Sequence, residues 1–122
     1  MSTSLPNAIV QFIRATNEGD IDAVGQTLHP EVVIEDKADR AVYSGATIRD
    51  FLTQEGYIGG GIRLGLDDYY PIDIEHILRF EVTGKTDAYR DQPYIFRFHF
   101  ILTDGLISSL RIFLVSSKTI PA

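Results

Sequence analysis

The stretch from Tyr94 to Ser116 constrains the fold more than any other part of the chain. Read as extended strand, Tyr94, Phe96, Phe98, Phe100 and Leu102 form one row, and Ile95, Arg97, His99 and Ile101 form the other, because side chains alternate with a period of two. Thr103-Asp104-Gly105 interrupts the pattern, and Asp-Gly is a strong signal for a tight hairpin. In the return strand, Leu110, Ile112 and Leu114 oppose Arg111, Phe113 and Val115. A sheet with one face in water shows a polar outer row. Here both rows are largely apolar, so both faces are expected to be covered: one by helices, the other by a second copy in a homodimer.

The first half of the chain has a helical period instead. Ser4 and then Pro6 read as an N-cap hydroxyl followed by a first-turn proline. Ile9, Phe12, Ile13 and Thr16 make a one-sided stripe that ends near Gly19. Asp20 is the expected N-cap of a second helix, with Ile21, Val24 and Leu28 buried and Pro30 as its stop. A strand Val32–Asp36 follows, then a polar turn over Lys37–Arg40 and the apolar pair Val42-Tyr43. Gly45 opens a third helix with Ile48, Phe51 and Leu52 on one face, running towards Gly59-Gly60-Gly61. Later strands are expected at Ile72–Phe80, Glu81–Tyr89, Pro93–Thr103 and Leu106–Ser116. Helices first and a meander of strands afterwards imply one α+β domain over residues 1–122, with a mostly antiparallel sheet packed against helices.

Composition excludes several function classes. The 122 residues carry a net charge of −6 with a pI near 4.9, and the 11 Lys and Arg are scattered. Binding to phosphate backbones or anionic lipid needs clustered cations, so neither nucleic acid nor membrane is an expected partner. No apolar run approaches the roughly 20 residues of a membrane helix. Met-Ser-Thr-Ser-Leu-Pro lacks a basic-then-apolar export pattern, and a cytoplasmic setting is expected. With no cysteine, thiolate metal sites and cysteine nucleophiles are excluded. The three histidines have no metal-ligand spacing, so no metal and no cofactor is expected.

Asp36 is the acid of interest. It shares a strand face with Val32 and Ile34, which leaves two readings. It is either a carboxylate turned into an apolar interior, with a raised pKa, or the solvated end of a short strand capping the Lys37–Arg40 turn.

Asn17-Glu18-Gly19-Asp20-Ile21-Asp22-Ala23, Leu28-His29-Pro30-Glu31-Val32, Ile34-Glu35-Asp36, Tyr43-Ser44-Gly45 with Ile48 and Phe51, and the hairpin around Asp104-Gly105 together carry a resemblance. The chain resembles the nuclear transport factor 2-like superfamily, in its SnoaL-like and ketosteroid-isomerase-like branch. The resemblance spans nearly the whole chain and implies a cone-shaped curved sheet wrapped around three helices, with an apolar cavity for a small molecule. It assigns Asp36 as the base that shuttles a proton at carbon next to a carbonyl, in a cofactor-free isomerase or cyclase. The alternative it leaves open is a non-catalytic ligand-binding or dimerisation module. The residues expected to contact the ligand are Phe12, Tyr43, Phe51, Tyr57, Phe98 and Leu114.

The chain departs from the isomerase pattern at the oxyanion donors, whose places fall at Phe12 and Phe98. Phenylalanine donates no hydrogen bond, and loss of one such donor typically costs about 2.7–4 kcal/mol. The usual steroid-isomerase mechanism therefore requires substitute donors, among which Tyr43, Tyr57, Tyr70 and His76 are considered. Arg97 and His99, two apart on one strand, read as a polar patch on the dimer face, although a register shift of one would turn them into the cavity. Some epoxide hydrolases of this fold place an acid where His99 stands. His29 reads as a helix-end cation, His76 as a satisfied sheet histidine, and Gly59-Gly60-Gly61 as a flexible connection at the cavity mouth.

Overall fold

The computed structural model describes residues 4–54, 57–86 and 93–117, the side chains of 116 and 117 excepted. Helix α1 spans Asn7–Glu18. Its buried stripe is Ala8, Ile9, Phe12, Ala15 and Thr16, the helical spacing that turns one face to a core. The expected Ser4 cap is not formed. Pro6 takes the N-cap position with no side-chain cap, and its carbonyl accepts the N–H groups of Ile9 and Val10, each at 3.1 Å. Gly19 ends the helix at φ +72°, where glycine carries no Cβ penalty.

Helix α2, Ile21–Gln26, is capped by Asp20, which accepts the Ala23 N–H at 3.0 Å. It ends earlier than its apolar stripe suggested, because strand β1 already begins at Leu28 and runs to Asp36. His29 and Pro30 are therefore strand residues, not a helix end. Pro30 lacks a ladder N–H, and it falls where the pairing of β1 with β6 is interrupted between Leu28 and Val33. His29 Nδ1 accepts the Glu31 N–H at 3.0 Å.

Strand β2, Ala41–Ser44, pairs antiparallel with β1. A 3-10 turn over Gly45–Thr47 leads into helix α3, Ile48–Thr53, and a second such turn covers Ile58–Gly60. Strands β3 (Arg63–Ile72), β4 (Glu75–Thr83), β5 (Tyr94–Thr103) and β6 (Leu106–Ser117) complete a six-stranded sheet in the order β2-β1-β6-β5-β4-β3. Among the described strands only β1 and β6 run parallel.

The β5–β6 hairpin turns at Asp104-Gly105, with φ +54° and +79°, as its sequence required. The preceding hairpin does not follow the expected strands at Ile72–Phe80 and Glu81–Tyr89. It turns at Asp73, φ +57°, and pairs Arg63–Ile72 with Glu75–Thr83. β3 is an exposed edge strand with a bulge between Leu66 and Asp68, so it shows little alternation. Ile72 and Ile74 flank the turn at 56% and 65% exposure and imitate sheet interior. Residues 87–89 of the expected second strand lie outside the described residues.

Register breaks at Leu28/Val33, Leu66/Asp68, Ile95/Phe96 and Ile101/Leu102 bend the sheet, and its inner face closes over α1. Phe12, Phe80, Phe100, Ile34, Leu78 and Leu110 are fully buried there. Phe12 meets Phe100 edge-on at 5.4 Å. Among the described residues no helix is long and apolar enough to cross a membrane.

The candidate cavity around Asp36

Asp36 is the last residue of β1 and lies opposite Ile112 of β6, on the inner face with Ile34 and Leu110. Only 8% of it is exposed. Its Oδ1 accepts the backbone N–H of Ala38 at 3.1 Å and of Asp39 at 3.2 Å, an Asx turn that closes the connection to β2. The two readings of Asp36 thus meet in one side chain, which caps its turn and lines a cavity of about 300 Å³. Oδ2 has no hydrogen-bond partner among the described residues. Burial raises the carboxyl pKa above its ordinary value; the two backbone N–H groups oppose this, and the nearby Asp39 charge adds to it.

The wall is largely apolar. Phe96, Phe98, Ile112 and Leu114 come from β5 and β6, Val82 from β4, and Phe51, Tyr57 and Ile62 from the α3 side. The Phe51 and Tyr57 rings pack in a tilted pair with centroids 4.5 Å apart. Asp39, Gln54 and Tyr94 add polar groups. Among these described lining residues there is no Lys, Arg or His.

Tyr57 is 3% exposed, and its hydroxyl pairs with Thr16 Oγ1 at 3.1 Å. Burial pushes its phenol pKa well upward, so it stays protonated. Of the expected ligand contacts, Phe51, Tyr57, Phe98 and Leu114 line the cavity with Asp36. Phe12 lies behind that wall in the core, packed on Tyr57 at 6.5 Å and on Phe100. Tyr43 reaches the site indirectly: its ring packs on Phe51 at 5.2 Å, and its hydroxyl donates to Gln54 Oε1 at 3.4 Å.

Other residues considered from sequence lie elsewhere. His76 stacks on Tyr69 and bonds its hydroxyl at 2.9 Å. Neither His76 nor Tyr70 lines the cavity. Arg97 and His99 occupy the outer sheet face: the Arg97 guanidinium sits over Phe113 at 5.6 Å, and His99 bonds Glu75 at 3.4 Å. Glu75 also accepts from Arg111 at 3.0 Å, which holds its carboxyl below the usual range. Burial lowers the His99 pKa against the opposing pull of Glu75. Gly59 is tightly seated, not slack: an added Cβ would strike the Thr53 carbonyl and lie 2.8 Å from that of Gln54.

Sequence reasoning missed Gln54, Tyr94, Phe96 and Asp39. Phe96 and Tyr94 share the Phe98 row and were legible as such. Asp39 follows from the Asx turn. Gln54 carried no signal, since its place depends on where α3 stops.

The arrangement matches known folds. The candidate polyketide cyclase of Sinorhizobium meliloti superposes with a TM-score of 0.73 at 23% identity, over 88% of this chain and 94% of that one. A candidate ketosteroid isomerase from Kribbella flavida gives 0.74 at 14%, over 96% and 82%. TerC, crystallised with polyporic acid, gives 0.74 at 16%, over 88% of each chain. At these identities the likeness is one of fold. No curated protein matches the sequence significantly. The model of the SnoaL-like domain matches residues 9–110, and the chain belongs to that family.

Proposed function

We propose that the cavity binds a small neutral carbonyl compound and that Asp36 shuttles a proton on it, as a cofactor-free isomerase or cyclase would. One observation carries this reading: a nearly buried carboxylate on the wall of an apolar cavity, with Oδ1 held by two N–H groups and Oδ2 unpartnered among the described residues. In the step inferred, ionised Oδ2 takes a proton from the carbon beside the carbonyl. The C–H electron pair moves into an enolate, and the protonated carboxyl returns the proton to the same or a conjugated carbon. No oxidant or co-reactant is consumed. A carboxyl pKa raised by burial makes the ionised form a stronger base. The absence of a basic residue from the described wall disfavours anionic ligands.

The similar structures, a candidate polyketide cyclase and a candidate ketosteroid isomerase, fit carbonyl chemistry without assigning it here. Phe98 on the wall, where a donor would stand, favours the second reading, a binding module without chemistry. Assaying β,γ-unsaturated ketones and β-keto esters with wild type and Asp36→Asn separates the two. Turnover lost with Asp36 supports the enzyme; equal rates for both proteins leave only the binding module.

We further infer a homodimer through the outer sheet face. Phe113, Ile101, Val33 and Val115 lie there beside Arg97 and His99, with Val33 37% and Val115 44% exposed. A wild-type dimer that Val115→Glu converts to monomer in sedimentation supports this pairing; a wild-type monomer refutes it.

A further inference from the structure

A carbonyl oxygen gaining charge opposite Asp36 needs a donor, and Phe12 and Phe98 provide none. Gln54 has the required placement. It leaves α3 in extended conformation at φ −67° and ψ 156°, and its carbonyl accepts the Tyr57 N–H at 3.0 Å. Its backbone is thereby fixed between α3 and the Ile58–Gly60 turn, and Gln54 lines the cavity with Asp36.

The amide's orientation is set from outside the cavity. The Tyr43 hydroxyl donates to Oε1 at 3.4 Å, and Tyr43 is held by its ring contact with Phe51. A primary amide offers one acceptor oxygen and two N–H donors. With the oxygen engaged by Tyr43, the group left to the cavity is Nε2. The Ala38 and Asp39 N–H groups go to Asp36, and the Tyr57 hydroxyl pairs with Thr16 Oγ1. Tyr94 also lines the cavity, from β5.

We propose that the Gln54 carboxamide, turned by Tyr43, is the hydrogen-bond donor to the ligand's carbonyl oxygen. Gln54 contacts the ligand, and Tyr43 is a positioning residue. This rests on the reading that the cavity takes a neutral carbonyl compound, and it adds a recognition element opposite the base.

The test is infrared difference spectroscopy of carbonyl-labelled 1-indanone bound to the intact protein, with affinities from titration. In wild type the carbonyl band falls below its frequency in alkane solvent, as for a hydrogen-bonded ketone. Gln54→Met, which keeps side-chain length, returns the band towards the alkane value and weakens binding roughly three- to tenfold, as loss of one neutral hydrogen bond does. Tyr43→Phe shifts the band part of the way, an effect that a purely structural role would not produce. Unchanged thermal unfolding in each variant certifies the fold, and Tyr94→Phe leaves the band in place. A band unmoved by Gln54→Met, or moved by Tyr94→Phe instead, overturns the Gln54 assignment while the cavity reading stands. Failure of wild type to bind 1-indanone overturns both.

Discussion

The backbone N–H of Asp39 donates to Oδ1 of Asp36 at 3.2 Å, so one carboxyl group both closes the β1–β2 turn and faces the cavity. Asp39 lines the same cavity, and its charge adds to the burial that raises the Asp36 pKa.

Asp36→Asn keeps an oxygen for the two N–H groups and removes the ionisation. Because the folded pKa lies above the ordinary 3.8, the folded protein binds the Asp36 proton more tightly than the unfolded chain does. The stability this gives is full below pH 3.8 and is lost as pH rises through the folded value. Urea unfolding over a pH series should therefore show wild type losing stability relative to Asp36→Asn across that window, then running parallel to it. A difference constant with pH would refute the raised pKa. Asp36→Ala, which also removes the turn acceptor, should be less stable than Asp36→Asn by about 1 kcal/mol.

Thr16 and Tyr57 share a buried hydrogen bond of 3.1 Å. Thr16→Val strands the Tyr57 hydroxyl and should cost about 1–3 kcal/mol. Thr16→Val with Tyr57→Phe should cost less than the two single changes summed, because no unpaired group then remains. Chemical denaturation of the four proteins measures the coupling; strict additivity would mean that the pair does not interact.

Phe12 is fully buried against Phe100 and Tyr57, behind the cavity wall. Phe12→Ala should destabilise by about 3–5 kcal/mol. A loss below about 1 kcal/mol would place Phe12 at a yielding cavity wall and not in the core.

Gly59→Ala forces a Cβ against the Thr53 and Gln54 carbonyls, and backbone atoms cannot rotate away. A cost of about 1–3 kcal/mol is expected from overpacking, measured by thermal or urea unfolding. A neutral result would show the segment to be as slack as its three glycines imply.

Local chemistry made much of this architecture readable. Gly19, Asp20 and Asp104-Gly105 act within a few residues of themselves, and each ends or starts an element as expected. The β5 and β6 rows were readable because both strands are central and mostly buried along the inner row. β3 was not, because an edge strand faces water and its Asp67, Asp68 and Pro71 conceal the alternation. Pro30 looked like a helix stop because nothing in the sequence announces an interrupted ladder. At the site, Phe98 and Leu114 followed from the strand rows. Gln54 did not, since a polar residue after a helix resembles any surface residue until the turn to Tyr57 places it.

The role proposed for Asp36 is to move a proton at carbon beside a carbonyl. The most direct measurement is nuclear magnetic resonance of deuterium uptake at C2 of 1-indanone in heavy water, with wild type and Asp36→Asn. Wild type should accelerate the exchange, and Asp36→Asn should lose about a hundredfold or more of that acceleration, the usual worth of a positioned base, while still binding the ketone. Equal exchange rates with the two proteins would contradict the claim.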